Sequence, residues 1–332
     1  MKLLLLLIVL ASNYGLQAQY FSIKNVYNSD STYVFPVFQS VARPDIAKKI
    51  NTVIQTDIVG KVNSNAVNPF ASVDWEDEFN YDMGANNERV IALVITGAHS
   101  GAGYHVTHHN YNYDSRTGKP IDLNQLLGSE GQARLRKAYY KIWKESIKEN
   151  LKDPYFADDY KTCLAEAENT MEVTINRMLI TEGGIRVWGG ACLDGSSEQS
   201  DRTAEPHEFS FGQLLPMLTN YGYSCYVNKV ATGPLQILLR GLIDGKYPIS
   251  FTLLPGQASG SVGGLIVYDK VGTPLNLKGI MNGNQIVFHE LDAASGQPIS
   301  DIETTWDGTK LSGTFTNLKT KKQLPFLASP VK

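Results

Sequence analysis

One apolar run constrains the fold of the first two thirds of the chain. The residues from Val90 to Ile95 are all apolar and contain no turn-forming residue. A run of this length without alternation is typical of a strand that is covered on both faces of its sheet. The small, glycine-rich stretch Thr96 to Gly103 then predicts a sharp turn. The mixed polar and aromatic segment Tyr104 to Asp114 predicts a second strand, so we expect a central hairpin.

The hairpin is followed by a turn and the start of a helix. Ser115 to Gly118 predicts the turn, because glycine at its last position accepts a positive φ. Pro120 to Leu123 predicts a short strand. Asp122 is expected to cap the following helix, since Gln125 stands three residues further on and completes a capping box.

Strands and helices are mixed in the rest of this part of the chain. Pro44 is typical of the first turn of a helix, and apolar residues at helical spacing predict a long helix that ends before Pro154. Glu182 to Gly184 predicts the turn of another hairpin. Because strands and helices do not alternate regularly, we predict an α+β domain of mixed antiparallel sheet and helices, residues 19–226.

The last hundred residues show a different pattern. Turn signals recur at short intervals, among them Asp244-Gly245, Asn282-Gly283 and Asp307-Gly308, and no helical period separates them. This spacing predicts an antiparallel meander of about eight strands between Leu235 and Phe326. We therefore predict a small all-β domain, residues 231–332, built as a barrel or a sandwich.

The motifs of the central block resemble a known family. The order is the apolar strand, G-A-H, an aromatic strand with N-Y-D, T-G-K, a short strand and L-x-x-L-L. It resembles the extracytoplasmic domain shared by the lysozyme-responsive anti-sigma factor RsiV and the peptidoglycan deacetylase PdaC, over about residues 20–220. The resemblance implies a place near cell-wall chemistry, including lysozyme binding. It implies no catalytic residue, and no deacetylase domain is recognisable in this sequence.

The start of the chain predicts export. Met1-Lys2 precedes eight apolar residues, and small and polar residues continue to Ala18. This order is typical of a signal peptide, residues 1–18, so we expect a periplasmic or extracellular protein. The apolar run is too short to span a bilayer, and no later segment is apolar enough, so no integral membrane segment is expected after cleavage. The net charge of -3, without a basic run, argues against nucleic-acid binding.

The cysteines and the histidines can each be interpreted in two ways. Cys192 with Cys225 is the preferred disulfide, and buried free thiols are the alternative. His99 and His105 flank the glycine-rich turn as expected cross-strand neighbours. A metal site there is the alternative, but His105 and His109 lie about 13 Å apart along a strand, too far to share an ion. We expect no metal and no cofactor.

No sequence motif supplies a nucleophile, a base and an oxyanion donor together. The prediction is therefore a non-catalytic binding module for a cell-wall glycan or a lysozyme-like protein, and the alternative is a hydrolase acting on peptidoglycan or another glycan. Exposed aromatic side chains would bind sugar faces or a protein partner, and the alternative is that they belong to the core. A stripe of acidic residues could bind a basic partner, and the alternative is a solvated face. The candidate binding residues are His99, His105, Tyr111, Tyr113, Trp188, Asp74, Glu76 and Glu78.

Overall fold

The computed structural model describes most of the chain. The described residues are 21–27, 33–59, 79–100, 104–152, 157–171, 173–189, 206–227 and 233–331. They combine helices with antiparallel strands and end in a closed eight-stranded barrel, in agreement with an α+β arrangement followed by a β-rich region.

The first part of the chain contains five helices and nine strands within these residues. The helices are α1 Pro44–Val59, α2 Leu123–Asn150, α3 Ala157–Thr170, α4 Phe211–Leu214 and α5 Asn220–Ser224. The strands are β1 Ser22–Tyr27, β2 Val34–Gln39, β3 Phe79–Asn86, β4 Val90–Ser100, β5 Tyr104–Asp114, β6 Lys119–Pro120, β7 Ile175–Thr181, β8 Gly184–Gly189 and β9 His207–Ser210. They form three sheets, in the orders β1-β2, β3-β4-β5-β6 and β7-β8-β9.

The apolar run in β4 is covered on both faces, as the sequence predicted. Ile91, Leu93 and Ile95 pack into one core with α1. Val90, Ala92 and Val94 face the other way and join a second core that contains the β7–β8 hairpin. Because successive side chains of a strand point to opposite faces, one unbroken run supplies two cores. Each fully buried aliphatic side chain of this kind contributes about 1.5–3 kcal/mol.

The predicted turn at Thr96 to Gly103 is wrong over most of its length. β4 continues to Ser100, and Gly97 and Ala98 pair with Thr107 and Val106 of β5. The small residues do not end the strand, because cross-strand pairing satisfies their backbone groups regardless of side-chain size. The backbone register also pairs His99 with His105, as expected for cross-strand neighbours.

The start of α2 follows the sequence closely. The Asp122 carboxylate accepts a hydrogen bond from the Gln125 N–H at 2.7 Å, and the Asp122 N–H donates to the Gln125 side chain at 3.0 Å. The predicted capping box is therefore confirmed. Gly118 has a φ of +63° in the preceding turn, and Gly128 interrupts α2 with a φ of 65°. An L side chain would be strained at either position.

The β-rich end of the chain is a barrel. Its strands are β10 Leu238–Ile243, β11 Tyr247–Pro255, β12 Ser261–Tyr268, β13 Pro274–Asn282, β14 Gln285–Leu291, β15 Pro298–Trp306, β16 Leu311–Asn317 and β17 Gln323–Pro330. Consecutive strands pair antiparallel, and β10 also pairs with β17, which closes the barrel. Of the two predicted forms, barrel and sandwich, the chain adopts the barrel.

Side chains fill the barrel interior. Phe251, Phe288 and Phe326 are fully or almost fully buried, and their ring centroids lie 5.7–6.1 Å apart. An acidic residue, Glu290, also lies inside the barrel. It is 2% exposed and accepts hydrogen bonds from Tyr268 Oη at 2.6 Å and Ser300 Oγ at 2.7 Å. The interior is therefore a packed core with one satisfied polar network.

The barrel packs against the first part of the chain. Leu238 and Val267 of the barrel belong to the same apolar core as the β7–β8 hairpin. Arg134 of α2 forms an ion pair with Asp269 at 3.0 Å, and Arg240 donates to backbone carbonyls of residues 216 and 218. The two-domain division thus stays a prediction. None of the helices in the described ranges has the length and hydropathy needed to cross a bilayer.

Candidate functional site

A groove runs between α1 and β5. β6 pairs only with Tyr113 and Asp114, so in the described part of the chain no strand covers the rest of the β5 edge. The groove has a volume of about 650 Å³. Its walls are Thr52, Val53, Thr56 and Asp57 of α1, Asn110, Tyr111, Asn112 and Tyr113 of β5, and Pro120 and Ile121.

Asp57 is the charged group of the groove. Its carboxylate accepts a hydrogen bond from Tyr111 Oη at 2.5 Å and lies 3.6 Å from His109 Nδ1. Half of the Asp57 side chain (53%) is exposed, whereas the Tyr111 and Tyr113 rings stack with centroids 6.3 Å apart and are largely covered. Burial, together with the nearby Asp57 charge, raises the pKa of Tyr113 to about 12. Burial and the hydrogen bond to Asp57 raise the pKa of Tyr111 as well, so both phenols are neutral at physiological pH.

A second cavity adjoins the groove on the opposite face of β5. Its volume is about 300 Å³, and Ile175 to Met178 of β7 form its far wall together with Asp122 and Leu123. The two cavities share three lining residues, Asn110, Asn112 and Ile121. They thus meet at the edge of β5, beside Ile121, whose N–H donates to the Asn112 carbonyl oxygen at 2.7 Å.

Two asparagines on the same face of β5 differ in their hydrogen bonds. Asn112 donates from Nδ2 to the Met178 carbonyl oxygen at 2.8 Å and accepts from the Ile180 N–H at Oδ1 at 2.7 Å. Asn110 lies two residues earlier, and both Oδ1 and Nδ2 of its side chain are buried without a hydrogen-bond partner. Among the described residues it is the one side chain with two such atoms. Each unmade hydrogen bond costs about 1–3 kcal/mol, so this arrangement calls for an explanation.

All three aromatic candidates are largely buried. Tyr111 and Tyr113 line the groove, but they are 8% and 2% exposed and belong to the core that packs against α1, so the core alternative applies to them as well. Trp188 is 7% exposed and lies in the core, with the Arg177 guanidinium 5.7 Å from its ring centroid. This position favours the core alternative for Trp188. The side chains of His99 and His105, and all of Asp74, Glu76 and Glu78, lie outside the described residues.

The cysteine prediction is not tested by the structure. Cys225 is a buried thiol whose Sγ donates to the Tyr221 carbonyl oxygen at 3.5 Å, and Cys192 lies outside the described residues. Burial and the Asp114 charge raise the pKa of the Cys225 thiol to about 12. A thiol that stays protonated is a poor nucleophile, so Cys225 does not support covalent catalysis.

Burial opposes ionisation of Asp114 itself, but hydrogen bonds from Arg116 outweigh it and hold the pKa of that carboxyl below its usual value. The ion pair between Arg116 and Asp114 stabilises the turn between β5 and β6. The Asp114 carboxylate offers no charge to a ligand, since its side chain is 6% exposed.

Sequence reasoning missed Asp57 and Asn110. Asp57 is separated from β5 by about fifty residues, and only the packing of α1 on the sheet brings it to Tyr111. Asn110 and Asn112 have the same residue type and the same strand face, so no local pattern separates them. In the described residues, no group of three or more histidine, cysteine or acidic side chains is arranged to hold a metal ion.

Comparison with known proteins finds no relative of this chain. No protein-family model matches the chain, and no curated protein matches it.

Proposed function

We propose that this chain is an exported, non-catalytic binding module of the cell envelope, and that the groove between α1 and β5 takes a cell-wall glycan. The observation that carries the proposal is the groove itself, because it joins stacked tyrosines with an exposed carboxylate in one cavity of about 650 Å³. Export rests on the pattern of the first 18 residues.

The composition of the groove suits a sugar. Pockets for small ligands combine apolar and aromatic walls with a few placed polar groups. Here Val53, Ile121 and the tyrosines supply apolar surface, while Thr52 and Asp57 supply hydroxyl and carboxylate groups. Sugar hydroxyls donate and accept hydrogen bonds, so a carboxylate flanked by a phenol can accept from a ring hydroxyl.

A hydrolase acting on glycans is the second candidate. Asp57 beside Tyr111 and His109 is the observation that favours it, since such groups can move protons. Cleavage of a glycosidic bond usually needs two carboxyl groups across the scissile bond. The other carboxylate at the adjoining cavity, Asp122, already accepts the capping hydrogen bond of α2. The groove therefore supports binding better than hydrolysis.

The test titrates the purified protein with a tetramer of N-acetylglucosamine, with a peptidoglycan digest and with lysozyme. Calorimetry records binding, and chromatography records any product. We expect the tetramer or the digest to bind without turnover. Thr56→Trp, which places a large ring in the groove from an exposed position of α1, should abolish binding. Lys48→Trp is the matched control, because Lys48 is exposed on α1 and does not line the groove.

Three other outcomes contradict parts of the proposal. Product release that stops in an Asp57→Asn variant would make the chain a hydrolase. Binding of lysozyme alone would replace the glycan by a protein partner. Unchanged binding in Thr56→Trp would remove the groove from the site. Export is tested separately, by the intact mass of the protein recovered outside the cytoplasm, which should lack about the first 18 residues.

A further inference from the structure

We infer that Asn110 binds the backbone of an extended peptide in the cavity between β5 and β7, as Asn112 of the same strand binds β7. The inference rests on the proposed function and deepens it. It assigns the sugar part of a cell-wall fragment to the groove at α1 and a peptide part to the adjoining cavity.

Asn112 shows what an asparagine side chain at this strand face recognises. It donates to the carbonyl oxygen of Met178 and accepts from the N–H of Ile180. These two groups belong to successive peptide bonds on either side of Leu179, and in a strand they point in the same direction. The side-chain amide therefore replaces a neighbouring strand.

This geometry distinguishes a peptide from an acetamido sugar. A trans secondary amide directs its N–H and its C=O to opposite sides, because the peptide unit is planar. One acetamido group can thus satisfy only one of the two polar atoms of an asparagine side chain. An extended peptide presents a C=O and an N–H on one side and satisfies both.

Asn110 offers the same pair of groups without a partner. It lies two residues from Asn112 on the same face of β5, and both of its polar side-chain atoms are buried and unpaired. Asn110 lines the cavity whose far wall is Ile175 to Met178. A peptide in this cavity would give both side-chain atoms of Asn110 a hydrogen-bond partner.

The adjoining cavities fit a branched fragment. They meet at Asn110 and Asn112, with the α1 groove on one side of β5 and the β7 cavity on the other. A glycan in the first can therefore send a peptide branch into the second around the part of the β5 edge that no described strand covers. Because the two atoms of Asn110 are covered, binding includes a rotation of its side chain toward the ligand, a rotamer change that is common at binding surfaces.

The experiment compares two probes on the full-length protein. One is the disaccharide of N-acetylglucosamine and N-acetylmuramic acid, and the other is the same disaccharide with its pentapeptide. We expect the peptide-bearing probe to bind at least about tenfold more tightly, from two added hydrogen bonds. Asn110→Leu should bring the affinities for the two probes to the same value. Because Asn110 also lines the glycan groove, the comparison is made between the two probes on the same variant. Asn276→Leu, at an exposed position of the barrel, is the control.

A second readout follows the side-chain NH₂ signal of Asn110 in a nuclear magnetic resonance titration. We expect it to shift with the peptide-bearing probe and to stay in place with the other. Equal affinities for the two probes, or a difference that persists in Asn110→Leu, would overturn the inference and leave the glycan proposal standing. Binding of neither probe would overturn both.

Discussion

The barrel and the edge of β5 differ in whether their buried polar side chains have hydrogen-bond partners. Inside the barrel, the carboxyl of Glu290 has two hydrogen-bond partners, and a core of buried apolar side chains that includes three phenylalanine rings surrounds it. At the edge of β5, the Asn110 amide has no partner, and cavities lie on both sides of it. A satisfied polar network inside a filled core contributes to a unique fold, whereas an unsatisfied amide beside a cavity costs stability and is expected where a ligand binds.

The largest effect should come from emptying the barrel. Phe288→Ala removes a ring that is fully buried between two others, so we expect a loss of about 3–5 kcal/mol in the free energy of unfolding. Val287→Ala is the matched control, because Val287 precedes it on β14 and is 40% exposed. Its loss should stay below about 1 kcal/mol. Similar losses in urea denaturation for both variants would contradict a packed interior.

The two asparagines of β5 should differ strongly in stability. Asn112→Ala leaves the Met178 carbonyl and the Ile180 N–H without partners in a buried place, which should cost about 2–4 kcal/mol. Asn110→Ala removes no hydrogen bond and should change the free energy of unfolding by less than about 1 kcal/mol, or raise it. Urea denaturation of both variants checks this. Equal losses would mean that Asn110 is as structural as Asn112.

The buried carboxyl in the barrel should reveal itself through pH. Burial raises the pKa of Glu290, and hydrogen bonds from Tyr268 and Ser300 oppose this only in part. The folded protein then binds the proton more tightly than the unfolded chain, so stability falls as pH rises from about 4.3 through the folded pKa. Glu290→Gln removes this dependence on pH. The dependence amounts to about 1.4 kcal/mol in the free energy of unfolding for each unit by which folding raises the pKa of Glu290.

The measurement is the difference in free energy of unfolding between Glu290→Gln and the parent protein from pH 4.5 to 7.5. We expect the difference to move in favour of the variant as pH rises. Asp114 has a lowered pKa and loses its stabilising contribution as pH falls, but it is present in both proteins and cancels. A constant difference would show that Glu290 ionises as freely when folded as when unfolded.

The smallest effect belongs to the groove. Tyr111→Phe removes the hydrogen bond from the phenol to Asp57, whose carboxylate is half exposed, so the cost should be about 1 kcal/mol or less. Tyr113→Phe is the control, because the phenol that donates a hydrogen bond to Asp57 is that of Tyr111 and not that of Tyr113. Thermal unfolding of both variants measures this. A loss of several kcal/mol in Tyr111→Phe would make the groove part of the structural core.

Local patterns predicted the elements better than their assembly. The capping box at Asp122, the strand Tyr104 to Asp114 and the eight-strand meander all depend on neighbours in sequence, and each is present in the structure. The choice between barrel and sandwich stayed open because it depends on the pairing of β10 with β17, at opposite ends of the meander. No local spacing encodes such a pairing.

The groove was predictable only in part. Tyr111 and Tyr113 stand out as aromatic residues on one strand face, and they do line it. Asp57 belongs to a helix whose apolar stripe predicts packing but not the strand that it will face. The difference between Asn110 and Asn112 depends on how β7 packs against β5, because the Asn112 side chain reaches the β7 backbone and the Asn110 side chain does not.

The pairing of β10 with β17 also has a consequence for the timing of folding. Leu239 pairs with Pro330, so the barrel cannot close until the chain has been made as far as Pro330. Contacts between residues so far apart in sequence form slowly, because the intervening loop loses entropy before the contact is made. A chain of this design stays open during synthesis. Under the export proposed above, this delay would leave the barrel open while the chain threads through a translocation channel.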